Sequence, residues 1–73
     1  MNAARKLTPF GKLVVKALAD QDMTNAMLAN QIGATPQYLS RILRGDRSGE
    51  KYIPAIVATL GLDPRRVEKV IAA

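Results

Sequence analysis

TNAMLANQIGATPQYLSRILRG, Thr24 to Gly45, contains two short apolar periodicities separated by one glycine. In its first half Leu28, Ala29 and Ile32 fall at i, i+1 and i+4, a single face of a helix with about 3.6 residues per turn. Thr24 stands just before it as an N-cap, a residue whose side-chain oxygen takes up an otherwise unpaired N–H of the first turn. Gly33 follows the last apolar residue, where a chain leaving a helix commonly turns left-handed and glycine does so without a Cβ penalty. Thr35 and Pro36 restart the helix, because threonine caps it and proline at the first helical position loses no intrahelical hydrogen bond. Leu39, Ile42 and Leu43 give the second helix its buried side. The stretch therefore predicts a helix, a tight turn and a second helix.

On the opposite side of the second helix lie Gln37, Ser40, Arg41 and Arg44, and no carboxylate occurs between Asp22 and Asp46. An acid-free face ending in arginines suits a polyanion.

Leu28-Ala29, Ile32-Gly33, Leu39 and Ile42 stand where the Cro and phage-repressor type of helix-turn-helix, the lambda-repressor-like or XRE family, places its core residues. The chain resembles that family, with Ala29 as the small residue that lets two helices approach and Gly33 as the turn residue. The similarity runs without a gap from about Phe10 to Asp63, through the IPAIVATLGLD ending that looks like a phage repressor's fourth helix and last turn. It implies an all-α fold, a compact five-helix lambda-repressor-like domain with a helix-turn-helix formed by helices 2 and 3. The function it implies is a sequence-specific regulator of transcription that binds double-stranded DNA, a repressor or Cro-like protein of a phage, prophage or bacterium. Its helix 3, about residues 35–44, would read the major groove.

The same resemblance puts the base-reading positions on Pro36, Gln37, Ser40 and Arg41. Gln37 offers a donor and acceptor pair to adenine, and Arg41, one turn later, reaches the O6 and N7 acceptors of guanine. Pro36 departs from the amide or hydroxyl residues common at its position and, having no N–H, supplies only apolar contact, for example with a thymine methyl. Phosphate contacts are expected from Thr24, Asn25, Tyr38, Arg44, Arg47 and Lys51. Asn25 matches the site at which related repressors bridge a phosphate and the recognition helix, and otherwise simply starts a helix. The tyrosine ring covers the junction of helices 2 and 3 while its hydroxyl reaches out. Arg44, Arg47 and Lys51 border a glycine-bounded loop that, in the resembled domains, runs beside the DNA backbone. Their alternative is a solvated cluster partly neutralised by Asp46 and Glu50. Leu18 and Leu43 fall where many such repressors carry a buried ion pair, so an apolar contact is expected in its place.

At 73 residues the chain is one small domain, a size that buries only roughly 60% of its unfolded surface. Without cysteine or histidine it has neither disulfide staples nor the usual ligands of zinc. Six scattered acids with no histidine or cysteine beside them make no nucleophile–base pair and no metal constellation, so no enzymatic activity, catalytic residue, metal or cofactor is expected. The 48% hydrophobic and 4% aromatic fractions predict an aliphatic core of small helices. A net charge of +5 and a pI near 10.1 point to an acidic partner. The apolar runs are far shorter than the roughly 20 residues that span a bilayer and no signal-peptide pattern opens the chain, so a cytoplasmic, nucleoid-associated protein is expected.

Residues 1–7 include Arg5 and Lys6 without periodicity and read as a flexible basic N-terminal arm, ahead of a domain over 8–73. Thr8-Pro9 repeats the cap-then-proline start, and Phe10, Leu13, Val14, Ala17 and Leu18 predict helix 1 from Pro9 to about Ala19, with Lys12 and Lys16 solvated on its polar side. Asp20 to Met23 reads as turn and capping residues. Helix 4 is expected to begin near Tyr52, with Pro54 in its first turn, Ile53, Ile56, Val57 and Leu60 inward, and Gly61 at its end. Asp63-Pro64 starts a last helix with Val67, Val70 and Ile71 on one side. So short a helix must pack on its own domain or on another subunit, which makes helix 5 the candidate interface of a homodimer on DNA. Neither a membrane nor a small-molecule ligand is expected as partner. The alternative function is a helix-turn-helix protein-interaction module, antitoxin-like or a partner of another regulator, with only non-specific DNA affinity. RNA binding calls for exposed aromatic platforms, and two tyrosines and one phenylalanine argue against it.

Overall fold

The hydroxyls of Thr8, Thr24 and Thr35 each accept the backbone N–H three residues on, from Gly11, Met27 and Tyr38, at 3.0, 3.1 and 3.1 Å. Each bond satisfies one of the N–H groups that a helix start leaves unpaired. In the computed structural model, which describes residues 7–72, these caps open α1 (Pro9–Asp20), α2 (Asn25–Ile32) and α3 (Pro36–Leu43). Two more helices follow, α4 (Ile53–Leu60) and α5 (Pro64–Ala72), and Asp63 Oδ1 accepts the Arg65 N–H at 2.9 Å at the start of the last. The protein is all-α, with no strand among the described residues. No helix among them is long and apolar enough to cross a membrane.

Two glycines end helices as their positions predict. Gly33 takes φ +77° after α2, and the Ala34 and Gly33 N–H groups return to the Ala29 and Asn30 carbonyls at 2.9 and 3.4 Å. Gly61 takes φ +66° after α4, and the Leu62 N–H returns to the Val57 carbonyl at 3.0 Å. The chain can then turn within a few residues while the last carbonyls of each helix stay paired.

The apolar stripes converge on one core in which Val14, Leu28, Leu39, Leu43 and Ile56 are fully buried. No polar or charged side chain joins them among the described residues, and Leu18 lies in the same cluster as Leu43. Helix α2 packs on α3 and α4, while α1 touches α3, α4 and α5 and so holds the two halves of the fold together. Leu7 packs half-buried against this core. The rest of the expected basic arm, Arg5 and Lys6 included, lies outside the described residues.

Helices α1 and α3 approach closely at Gly11. A Cβ on Gly11 would stand 2.1 Å from the Leu43 carbonyl oxygen, so only glycine fits there. Thr8 donates both its backbone N–H and its hydroxyl to that same oxygen, at 3.0 and 2.9 Å. A second cross-link joins the end of α1 to the end of α4, where Gln21 Nε2 donates to the Leu60 carbonyl at 2.7 Å. Replacing Gly11 by alanine should therefore cost about 2–3 kcal/mol, because the obstruction is backbone and cannot rotate away. Thermal unfolding followed by circular dichroism should show the melting temperature falling by roughly 10 °C or more, and an unchanged value would refute so close a contact.

Candidate nucleic-acid interface

The outward side of α3 is built by its own periodicity. With Leu39, Ile42 and Leu43 drawn into the core, Gln37 and Arg41 are left exposed and Ser40 half-buried on the other side. The loop that follows is folded back onto the same helix: the Arg41 carbonyl accepts the N–H groups of Asp46 and Arg47 at 2.8 and 3.3 Å. Gly45, at φ +84°, makes that reversal, and Gly49 lies buried with no room for a Cβ, which would stand 2.6 Å from Ile42 Cγ2. This fold-back brings Arg47 beside the helix it follows.

The result is a concavity of about 710 Å³ lined by Gln37, Ser40, Arg41, Arg44, Asp46 and Arg47. Three guanidinium groups and one carboxylate make it electropositive, and it is shallow and polar rather than an enclosed pocket. Arg44 is held differently from the other two arginines: its Nε is enclosed by protein and bonds to no protein acceptor, while the residue lines the hollow. Its stem is thus partly covered by protein, whereas Arg41 and Arg47 are exposed.

Five of the expected contact residues, Gln37, Ser40, Arg41, Arg44 and Arg47, thus share one surface. The others lie elsewhere. Pro36 is exposed at the start of α3, and Thr24 and Asn25 are exposed at the start of α2, the threonine hydroxyl already accepting the Met27 N–H. Lys51 is exposed in the turn before α4. Tyr38 lines a separate hollow of about 340 Å³ with Gly33, Ala34, Thr35 and Tyr52, on the turn between α2 and α3.

Among the residues of these surfaces that were not expected as contacts, Asp46 and Tyr52 bear on their chemistry. Asp46, expected only to dampen its neighbours' charge, sits among the arginines themselves. Tyr52 meets Tyr38 edge to face, with ring centroids 5.6 Å apart and planes at 67°. No local signal announces that pair, because it joins α3 to the residue before α4 across a loop, and only the folded chain juxtaposes the two rings.

Comparison with protein-family models, with curated protein sequences and with solved structures finds no match to this chain. The likeness to repressors therefore rests on the residues quoted above.

The tyrosine contact is directly measurable. A double-mutant cycle with Tyr38→Leu and Tyr52→Leu should return a coupling of about 0.5–1.5 kcal/mol in urea unfolding, the usual worth of an edge-to-face pair beyond its buried area. Additive losses would mean that the rings contribute only through burial.

Proposed function

We propose that this protein is a sequence-specific double-stranded DNA-binding regulator of transcription, a repressor or Cro-like protein of the lambda-repressor-like kind. In this reading α2, the turn at Gly33 and α3 form its helix-turn-helix. The observation that carries the proposal is the grouping of Gln37, Ser40, Arg41, Arg44 and Arg47 on one electropositive surface along α3 and its following loop. An exposed helix with amide, hydroxyl and guanidinium groups on its outer side has the chemistry that reads base edges in a major groove. Arginines at the C-terminal end of that helix and beyond it would meet phosphates, which fix register without reading sequence.

Gln37 and Arg41 are assigned to bases, with Ser40 beside them and Pro36 supplying apolar contact at the helix start. Arg44, Arg47 and Lys51 are assigned to phosphates on the loop side, and Thr24, Asn25 and Tyr38 to phosphates on the turn side. Two copies would read a pseudo-palindrome. The surface best suited to joining them is the apolar hollow of about 520 Å³ between α4 and α5, lined by Ile53, Val57, Val67 and Ile71 among others, with Ile71 47% exposed. Occupancy of an operator then suffices for repression, by blocking polymerase or a competing regulator.

The deciding experiment measures binding to duplexes from the protein's own genomic neighbourhood and to random duplex, at several salt concentrations. Tight binding to one segment with a large preference supports the proposal. Weak, salt-sensitive binding without preference sinks it and favours a protein-interaction module. Within the proposal, Arg41→Ala should cost roughly 1–3 kcal/mol and relax preference at one base pair, so equal weakening on random duplex would remove its assignment to a base. Lys51→Ala should weaken every sequence alike and make the plot of log affinity against log salt shallower by about one unit. An unchanged slope would show that Lys51 meets no phosphate.

A further inference from the structure

The Leu43 carbonyl is one of the last four of α3, which have no acceptor role inside their own helix. It receives instead two donors from one residue of another helix's start, the Thr8 N–H at 3.0 Å and the Thr8 hydroxyl at 2.9 Å. The same hydroxyl accepts the Gly11 N–H at 3.0 Å and so caps α1 while it latches α3. Two glycines make room for the latch: Gly11, whose Cβ would strike the Leu43 carbonyl, and Gly45, whose Cβ would stand 2.9 Å from Thr8 Cγ2. The C-terminal end of the base-facing helix, packed into the core through Ile42 and Leu43, is therefore hydrogen-bonded to the start of α1 at one oxygen.

We propose that Thr8 is a positioning residue for DNA recognition, setting through the Leu43 carbonyl the angle at which α3 presents Gln37, Ser40 and Arg41. The proposal rests on the DNA-binding reading of α3. Helix α3 has 8 residues, and Gln37 lies six residues from the latch, about 9 Å along the axis. A tilt of about 10° pivoting at Leu43 would move Gln37 by roughly 1.5 Å, three times the width of about 0.5 Å over which a hydrogen bond keeps its length. The phosphate-side Arg44 lies next to the pivot and Arg47 in the loop beyond it, so such a tilt displaces them little, whereas paired bonds from Gln37 to a base edge are lost. Loss of the latch should then lower sequence preference more than affinity.

Three substitutions separate the roles of the hydroxyl. Thr8→Ser keeps both of its bonds, Thr8→Asp keeps the acceptor that caps α1 but has no proton for Leu43 when ionised, and Thr8→Val keeps neither. Each variant is compared with the parent, below its melting temperature, for the ratio of its affinities on the preferred and random duplexes. Amide residual dipolar couplings of the free protein give the angle between α1 and α3. The aspartate and valine variants should lose roughly tenfold in the ratio, as for one well-made base contact, and should change the couplings of α3 relative to α1. Serine should leave both as in the parent. Added negative charge in the aspartate variant weakens both duplexes alike and cancels in the ratio. Unchanged couplings in the aspartate and valine variants overturn the proposal, as does a serine variant as impaired as valine, or failure of both aspartate and valine variants to fold, which would make the latch a matter of stability alone. If the parent shows no sequence preference, the DNA-binding reading has failed, and the couplings alone still decide whether Thr8 sets the angle of α3.

Discussion

One carbonyl oxygen, that of Leu43, carries the contact on which the arrangement of helices depends. A helix ends with carbonyls that its own backbone cannot pair, and leaving such a group buried and unpaired costs on the order of 1–3 kcal/mol. Here the start of α1 supplies the partners, two donors from Thr8, at the point where Gly11 lets the backbones come together. The hydrogen-bonding needs of two helix termini are met in one place. Because Leu39, Ile42 and Leu43 are buried at the same time, α3 is held by its apolar side and by its end, and its remaining side faces outward.

The rest of the structure shapes what that outward side meets. The loop after α3 closes on the Arg41 carbonyl, so Arg47 comes to lie beside Arg41 and Arg44 rather than trailing into solvent. The core has no charged member among the described residues, and Leu18 and Leu43 both lie in it. That arrangement avoids the desolvation penalty of burying charge and leaves the basic side chains for the surface. Separate means thus serve separate needs: aliphatic packing and capping hold the fold, while an acid-poor helix face supplies the charge.

Much of this was legible in the chain. Thr8-Pro9, Thr24, Thr35-Pro36 and Asp63-Pro64 announce where helices begin, and Gly33 and Gly61 where two of them end, since capping and left-handed turns are decided within four or five neighbouring residues. The inward stripes were readable for the same reason, periodicity being a local property. Helix bounds differ by a residue, α1 reaching Asp20 and α4 starting at Ile53, where the last turn depends on neighbours such as Gln21 bonded to Leu60. Of the candidate interface, the side chains along α3 were legible as a face, because one helix carries them.

By itself, then, the sequence determined the helices, their buried sides and the absence of acids from the outer side of α3, all consequences of interactions between residues a few positions apart. Tertiary structure alone decided the meeting of Thr8 and Gly11 with Leu43, the pairing of Tyr38 with Tyr52, and the closure of Arg47 and Asp46 onto Arg41 and Arg44. The latch spans 35 positions of the chain, and no local pattern encodes which carbonyl a distant hydroxyl will reach. That choice falls to the packing of the whole core, which selects one relative placement of the helices from the many that their separate patterns allow.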